Sequence, residues 1–174
     1  DEEEENYNKN IKMNTLVRNY KVIQKYINDL YLIGNRKCNL RLYVLVKCFN
    51  RDKRIFLYNE GKCIYTNKEF NNSNLDKEGH LTSYNLNPSI YDYLPQSLKE
   101  LKHYIGKNKY NVLWKNIIII LKKTVFAIKP ELCNNKNLNK ATTFQLFGID
   151  IVFTKKLKPY LLEFNKGPSM KFIN

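Results

Sequence analysis

Two β-rich runs near the carboxyl end, 144–153 and 159–165, are separated only by Thr154, Lys155, Lys156, Leu157 and Lys158. So short a link leaves the two strands one option, an antiparallel hairpin, because parallel neighbours need a crossover of a dozen or more residues. A turn centred on Lys156 and Leu157 sets Asp150 opposite Glu163. Strict alternation then puts Leu161, Glu163 and Asn165 on one face, with Tyr160, Leu162 and Phe164 on the other. Two carboxylates and an amide oxygen converge on one patch. Directly opposed like charges repel, so a cation belongs between them. All-oxygen ligation suits Mg²⁺, which keeps waters or takes phosphate oxygens as its remaining ligands. An ordinary amphipathic hairpin with a polar outer face has the same pattern, and the hairpin alone does not choose.

Upstream, the texture changes at Tyr20. Residues 1–19 are polar with an acidic start, a flexible stub. Residues 22–27 alternate like a strand, 40–46 form a β-rich run, and 55–58 and 62–65 follow as shorter strands split by Asn59-Glu60-Gly61. The last three read as an antiparallel meander. Residues 67–95 are loop-like. Leu98, Leu101 and Ile105 then share one helical face, and a second helix over 111–128 stops at Pro130. Its core stripe is Val112, Leu113, Ile117, Ile120, Leu121 and Val125. Strands, helices and strands again predict an α+β domain.

Composition narrows the function classes. The 174 residues carry a net charge of +14 and are 43% hydrophobic, which favours one folded domain and a polyanionic partner. No run reaches the ~18 apolar residues of a membrane span, since Lys115, Lys122 and Lys123 interrupt the best candidate. Membrane and nucleic-acid partners are not expected: the aromatics fall at strand-core positions, and no RNA-binding signature is present. No two of Cys38, Cys48, Cys63 and Cys133 stand two to four residues apart, so a zinc knuckle or redox pair has no support and reduced, packed thiols are expected. The chain opens on Asp1 and carries no signal peptide, as a piece of a longer protein would.

Several ordered blocks resemble the catalytic domain of tubulin–tyrosine ligase-like proteins. These are Phe144-Gln145-Leu146-Phe147-Gly148-Ile149-Asp150, then Leu157-Lys158-Pro159-Tyr160-Leu161-Leu162-Glu163-Phe164-Asn165-Lys166-Gly167-Pro168-Ser169. Upstream of them come Val22-Ile23-Gln24-Lys25-Tyr26, the run Lys37-Cys38-Asn39-Leu40-Arg41-Leu42-Tyr43-Val44, Leu57-Tyr58-Asn59-Glu60-Gly61 and His80-Leu81-Thr82-Ser83-Tyr84. The likeness implies an ATP-grasp-like fold with an antiparallel sheet flanked by helices, incomplete here, and assigns 20–174 to the carboxyl-terminal part of the catalytic domain. No glycine-rich phosphate-covering loop stands before Tyr20.

The resemblance implies an ATP-dependent ligase that adds an amino acid, by expectation glutamate, to acidic tubulin tails through an acyl phosphate. It implies ATP and Mg²⁺ as cofactors, tubulin or microtubules as partner, and a place in the cytoplasm and cytoskeleton, including cilium, flagellum or basal body. Asp150, Glu163 and Asn165 would hold the metal, with Arg41 and Glu163 in the catalytic set. Gln24, Lys25, Tyr26, Ile27, Lys37, Asn39 and Thr82 would line the nucleotide site, and His80 is read as a structural hydrogen-bonding residue. Three positions depart from the family pattern: Asn39 stands for Asp, Asn59 for Arg and Ser83 for Asn. A catalytically impaired module that binds microtubules or nucleotide without turnover is the alternative.

Overall fold

The computed structural model describes residues 23–49, 52–132 and 141–170. The polar stub at 1–19, Val22, the turn residues Asn50 and Arg51, and Cys133 lie outside them. Four strands form one antiparallel sheet: β1 (Cys38–Phe49), β2 (Asp52–Tyr65), β3 (Thr143–Phe153) and β4 (Pro159–Lys166), in spatial order β2-β1-β3-β4. Between β2 and β3 run a one-turn helix α1 (Lys77–His80), then α2 (Leu98–Ile105) and α3 (Lys107–Ile128). The α+β expectation holds.

One sheet face packs against the helices, and the other is partly covered, with Asn39, Tyr43, Asp150 and Val152 buried on it. Along β1, Cys38, Leu40, Leu42, Val44 and Val46 are buried, and from β3 so are Phe147, Ile149, Ile151 and Phe153. Leu98, Leu101 and Ile105 of α2 and Leu113, Ile117 and Leu121 of α3 close over them. Each such side chain contributes about 1.5–3 kcal/mol of burial. The intervening β1 residues, among them Asn39, Arg41 and Tyr43, face the other way. Val112 departs from the expected stripe and is half exposed, because it lies one residue, about 100° of helix, from Leu113. No helix among the described residues is long and apolar enough to cross a membrane.

Two strand expectations change. Residues 55–65 are a single strand with a bulge rather than two strands: pairing shifts between Leu42 and Val44, where Tyr58, Asn59 and Glu60 all stand opposite Tyr43. The long β1 offers an unbroken ladder, and Asn59-Glu60-Gly61 is absorbed as extra residues instead of a turn. Gly61 is required there, since an added Cβ would lie 2.5 Å from the Arg41 carbonyl oxygen. Residues 23–28 form no strand. The chain is instead tied just beyond them, where Tyr31 N–H donates to the Phe153 carbonyl at 2.8 Å and Lys155 N–H donates to that of Asp29 at 2.9 Å.

The hairpin differs from strict alternation at one place. Asp150 pairs with Glu163, as the turn predicts, but Ile151 pairs with Leu161. Leu162 is thus an extra residue, and Leu161 packs against the core instead of sharing the face of Glu163. Of the cysteines, Cys38 and Cys63 are free and buried, as expected, whereas Cys48 is disulfide-bonded.

Candidate active site

The face away from the helices carries a row of charge across all four strands. Lys62 of β2 is the register partner of Arg41 on β1, Arg41 of Asp150 on β3, and Asp150 of Glu163 on β4. Reading across the sheet, two cations are followed by two anions. The Arg41 guanidinium grips Asp150 at both ends, Nε donating to Oδ1 and Nη2 donating to Oδ2 at 2.9 Å. Both side chains are largely out of solvent, where a bidentate pair is strongest. The hydrogen bond to Asp150 raises the arginine pKa despite partial burial, so Arg41 stays charged.

Asn165 is the third residue of the expected metal set. It stands opposite Gly148, two register positions along from the Asp150–Glu163 pair, and Glu163 is exposed. Gly148 keeps this patch open: a Cβ there would come within 2.5 Å of Pro168 Cβ and 3.3 Å of Arg41 Cδ. Tyr43, two residues from Arg41, donates its hydroxyl to the Ser169 carbonyl at 3.2 Å and thereby ties the segment after β4 to the sheet. The donor set of two carboxylates and an amide oxygen fits Mg²⁺. A metal there has to compete with Arg41 for Asp150.

Five of the expected nucleotide residues come together. Gln24, Lys25, Tyr26, Ile27 and Lys37 line one cleft of about 360 Å³, closed on its far side by Val152, Tyr160 and Leu162. Burial lowers the Lys37 pKa; its ammonium lies 5.5 Å from the Tyr26 ring centre and donates to the His80 carbonyl at 3.1 Å. Tyr26 and His80 Nδ1 are 2.9 Å apart, and His80 Nε2 reaches the Asn71 carbonyl at 3.0 Å. An Nε2–H tautomer satisfies both contacts, the Tyr26 hydroxyl donating to Nδ1. His80 is therefore a brace between loops.

Between this cleft and the charged row lie Asn39 and Thr82. Asn39 Nδ2 donates to Thr82 Oγ1 at 3.0 Å, while the buried Asn39 Oδ1 has no protein partner. An orphaned acceptor costs about 1–3 kcal/mol, and a ligand hydroxyl would satisfy it. This is the chemistry a ribose offers, and the residues present fit a nucleotide. The other two departures lie elsewhere. Asn59 is exposed in the β2 bulge, and Ser83 adopts φ +63° beside the site.

Lys62 escaped the sequence reading. Its position opposite Arg41 follows only once β2 is known to run unbroken through Asn59-Glu60-Gly61, and the register across β1 was the signal that could have found it.

A sequence profile of the Tubulin-tyrosine ligase family matches residues 6–172. The chain belongs to the tubulin-tyrosine ligase family. It is similar to the human "Probable tubulin polyglutamylase TTLL2" (34% identity, covering 86% of this chain and 26% of that protein). It is also similar to the mouse "Tubulin polyglutamylase TTLL6" (31%, covering 85% and 20%) and to the rat "Probable tubulin polyglutamylase TTLL9" (32%, covering 88% and 34%). The chain thus spans a fifth to a third of the length of these relatives. Its four-stranded antiparallel sheet with helices is consistent with part of the family's ATP-grasp-like domain.

Proposed function

We propose that this chain is the metal- and nucleotide-binding side of an ATP-dependent ligase that adds glutamate to the acidic tails of tubulin. The observation that carries this reading is the pairing of Asp150 with Glu163 directly beside Arg41, next to a cleft lined by the five expected nucleotide residues. Asp150, Glu163 and Asn165 would hold Mg²⁺, which supplies charge neutralisation and positioning of the phosphates. The cleft would receive the adenine against Tyr26 and Lys37, and Asn39 Oδ1 would accept a ribose hydroxyl. Arg41 presents fixed donors to the phosphoryl group and to the acyl phosphate made from a carboxylate. Forming the acyl phosphate needs no histidine base, because the attacking carboxylate is already ionised. The names of the relatives, tubulin polyglutamylases, support tubulin as substrate. The +14 charge would draw the domain to glutamate-rich tails, with an attraction that weakens as salt rises. A cytoplasmic, microtubule-associated location, ciliary structures included, goes with that substrate.

Mass spectrometry of tubulin tails tests the proposal, after incubation with the full-length protein, ATP, Mg²⁺ and single amino acids. The expected result is a glutamate mass increment that falls about 100-fold or more in Glu163→Gln, with microtubule co-sedimentation preserved. Microtubule binding without any incorporation would instead establish the non-catalytic reading, which the loss of a carboxylate at Asn39 favours.

A further inference from the structure

The helix α3 has a second face that neither the core nor the proposed site uses. Its buried residues are Leu113, Ile117 and Leu121. On the opposite side Val112, Ile119 and Phe126 are 50%, 45% and 80% exposed. These three recur every seventh residue. Each step of seven drifts by about 20° around a straight helix, so the three side chains fall within about 40° of one another along about 21 Å of axis. Ile117 and Leu121 point about 160° away from Ile119. Lysines flank the line: Lys123 stands about 40° to one side of Ile119, Lys115 and Lys122 about 40° and 60° to the other. All three lysines are exposed, and none is ion-paired among the described residues. The helix itself contains no aspartate or glutamate.

The width of this line decides what can cover it. A helix lying in a membrane surface or on a globular core needs an apolar stripe of about 100° or more. A stripe of about 40° with a seven-residue repeat is the seam of a helix–helix contact. The lysines fix the sign of the partner. A second copy of α3 would set lysine against lysine, whereas carboxylates beside a facing apolar line would pair with both flanks. A nucleic acid would meet the lysines and leave Val112, Ile119 and Phe126 in water. The seam also stands clear of the charged row: α3 packs on one sheet face, and Arg41, Asp150 and Glu163 lie on the other.

We propose that the outer face of α3 docks an acidic amphipathic helix of another protein. Val112, Ile119 and Phe126 pack into the partner's apolar seam, and Lys115, Lys122 and Lys123 pair with its carboxylates. Such a partner leaves the nucleotide cleft and the charged row uncovered, so the inference does not depend on the ligase reading. The probe is a synthetic helical peptide of about four heptads, with leucine along one seam and glutamate on both flanks. Its control has the same composition with the leucines moved out of register. Fluorescence anisotropy measures both against the full-length protein at an ionic strength of about 0.15 M. The in-register peptide should bind at least about tenfold more tightly than the control. Phe126→Ser and Ile119→Ser should each weaken it roughly tenfold or more, as should the double substitution Lys122→Glu, Lys123→Glu. Thermal unfolding of these variants should stay nearly unchanged, since the side chains are exposed. Equal binding of the two peptides would reduce the face to unspecific charge and overturn the proposal, as would an undiminished affinity in Phe126→Ser. Failure of the full-length protein to bind either peptide would place the seam against its own chain and overturn it too. Tighter attachment to anionic phospholipid vesicles or to single-stranded RNA than to the in-register peptide would do the same, as would self-association that Phe126→Ser abolishes.

Discussion

Arg41 holds both carboxylate oxygens of Asp150 across the β1–β3 ladder. The pair lies largely out of water, so removing either partner strands a charge. Asp150→Ala should lower unfolding stability by about 2–3 kcal/mol, and the double-mutant cycle with Arg41→Ala should return a coupling of about 1.5–3 kcal/mol. Chemical denaturation of the four proteins checks this. A coupling near zero would mean that the two side chains are independently solvated.

Gly148 should tolerate no side chain. Its added Cβ meets Pro168 and the Arg41 stem, and Pro168 cannot swing away as a flexible side chain can. Gly148→Ala should cost about 1–3 kcal/mol of stability and displace Arg41. Nucleotide affinity should therefore fall along with the melting temperature, which calorimetry can follow in one sample.

The start of α2 rests on a reciprocal cap: Glu100 N–H donates to Ser97 Oγ at 3.2 Å, and Glu100 Oε2 accepts from Gln96 N–H at 2.7 Å. Ser97→Ala should cost about 1 kcal/mol. The backbone N–H of Gln96, more than any other contact, holds the Glu100 pKa below its ordinary value. A depressed carboxylate pKa stabilises the fold above the unfolded value, about 4.3, and that stability is lost as pH falls through the folded value. Thermal melts between pH 6 and pH 3 should show an acid-labile increment that Glu100→Gln abolishes.

Ser83 holds φ +63°, a left-handed conformation that asparagine adopts more readily than serine. Ser83→Asn should raise stability by about 0.5–1 kcal/mol, read as a higher denaturant midpoint with an unchanged slope.

The parts of this fold that are legible in the sequence are those set by local geometry. A five-residue link fixed the hairpin, and with it the Asp150–Glu163 pair. Helical spacing found Leu98, Leu101 and Ile105, all buried. What could not be read depends on the neighbour. Asn59-Glu60-Gly61 carries turn chemistry, but β1 supplies a partner on both sides of it and turns it into a bulge. Residues 23–27 alternate like a strand, yet 24–27 serve as a cleft wall because their backbone finds no ladder. Lys62 is one cation among many in a basic chain, and only register distinguishes it.

The extra residue in β4 separates two properties that such a hairpin normally couples. Without Leu162, Leu161 would still meet Ile151 and Glu163 would still meet Asp150, now in an uninterrupted ladder. Leu162 lines the cleft that also holds Gln24, Lys25, Tyr26, Ile27 and Lys37. Excising it would leave the acidic pair where it is and take one side chain from the cleft, so that the carboxylate pairing and the shape of the cleft can vary independently within a single strand.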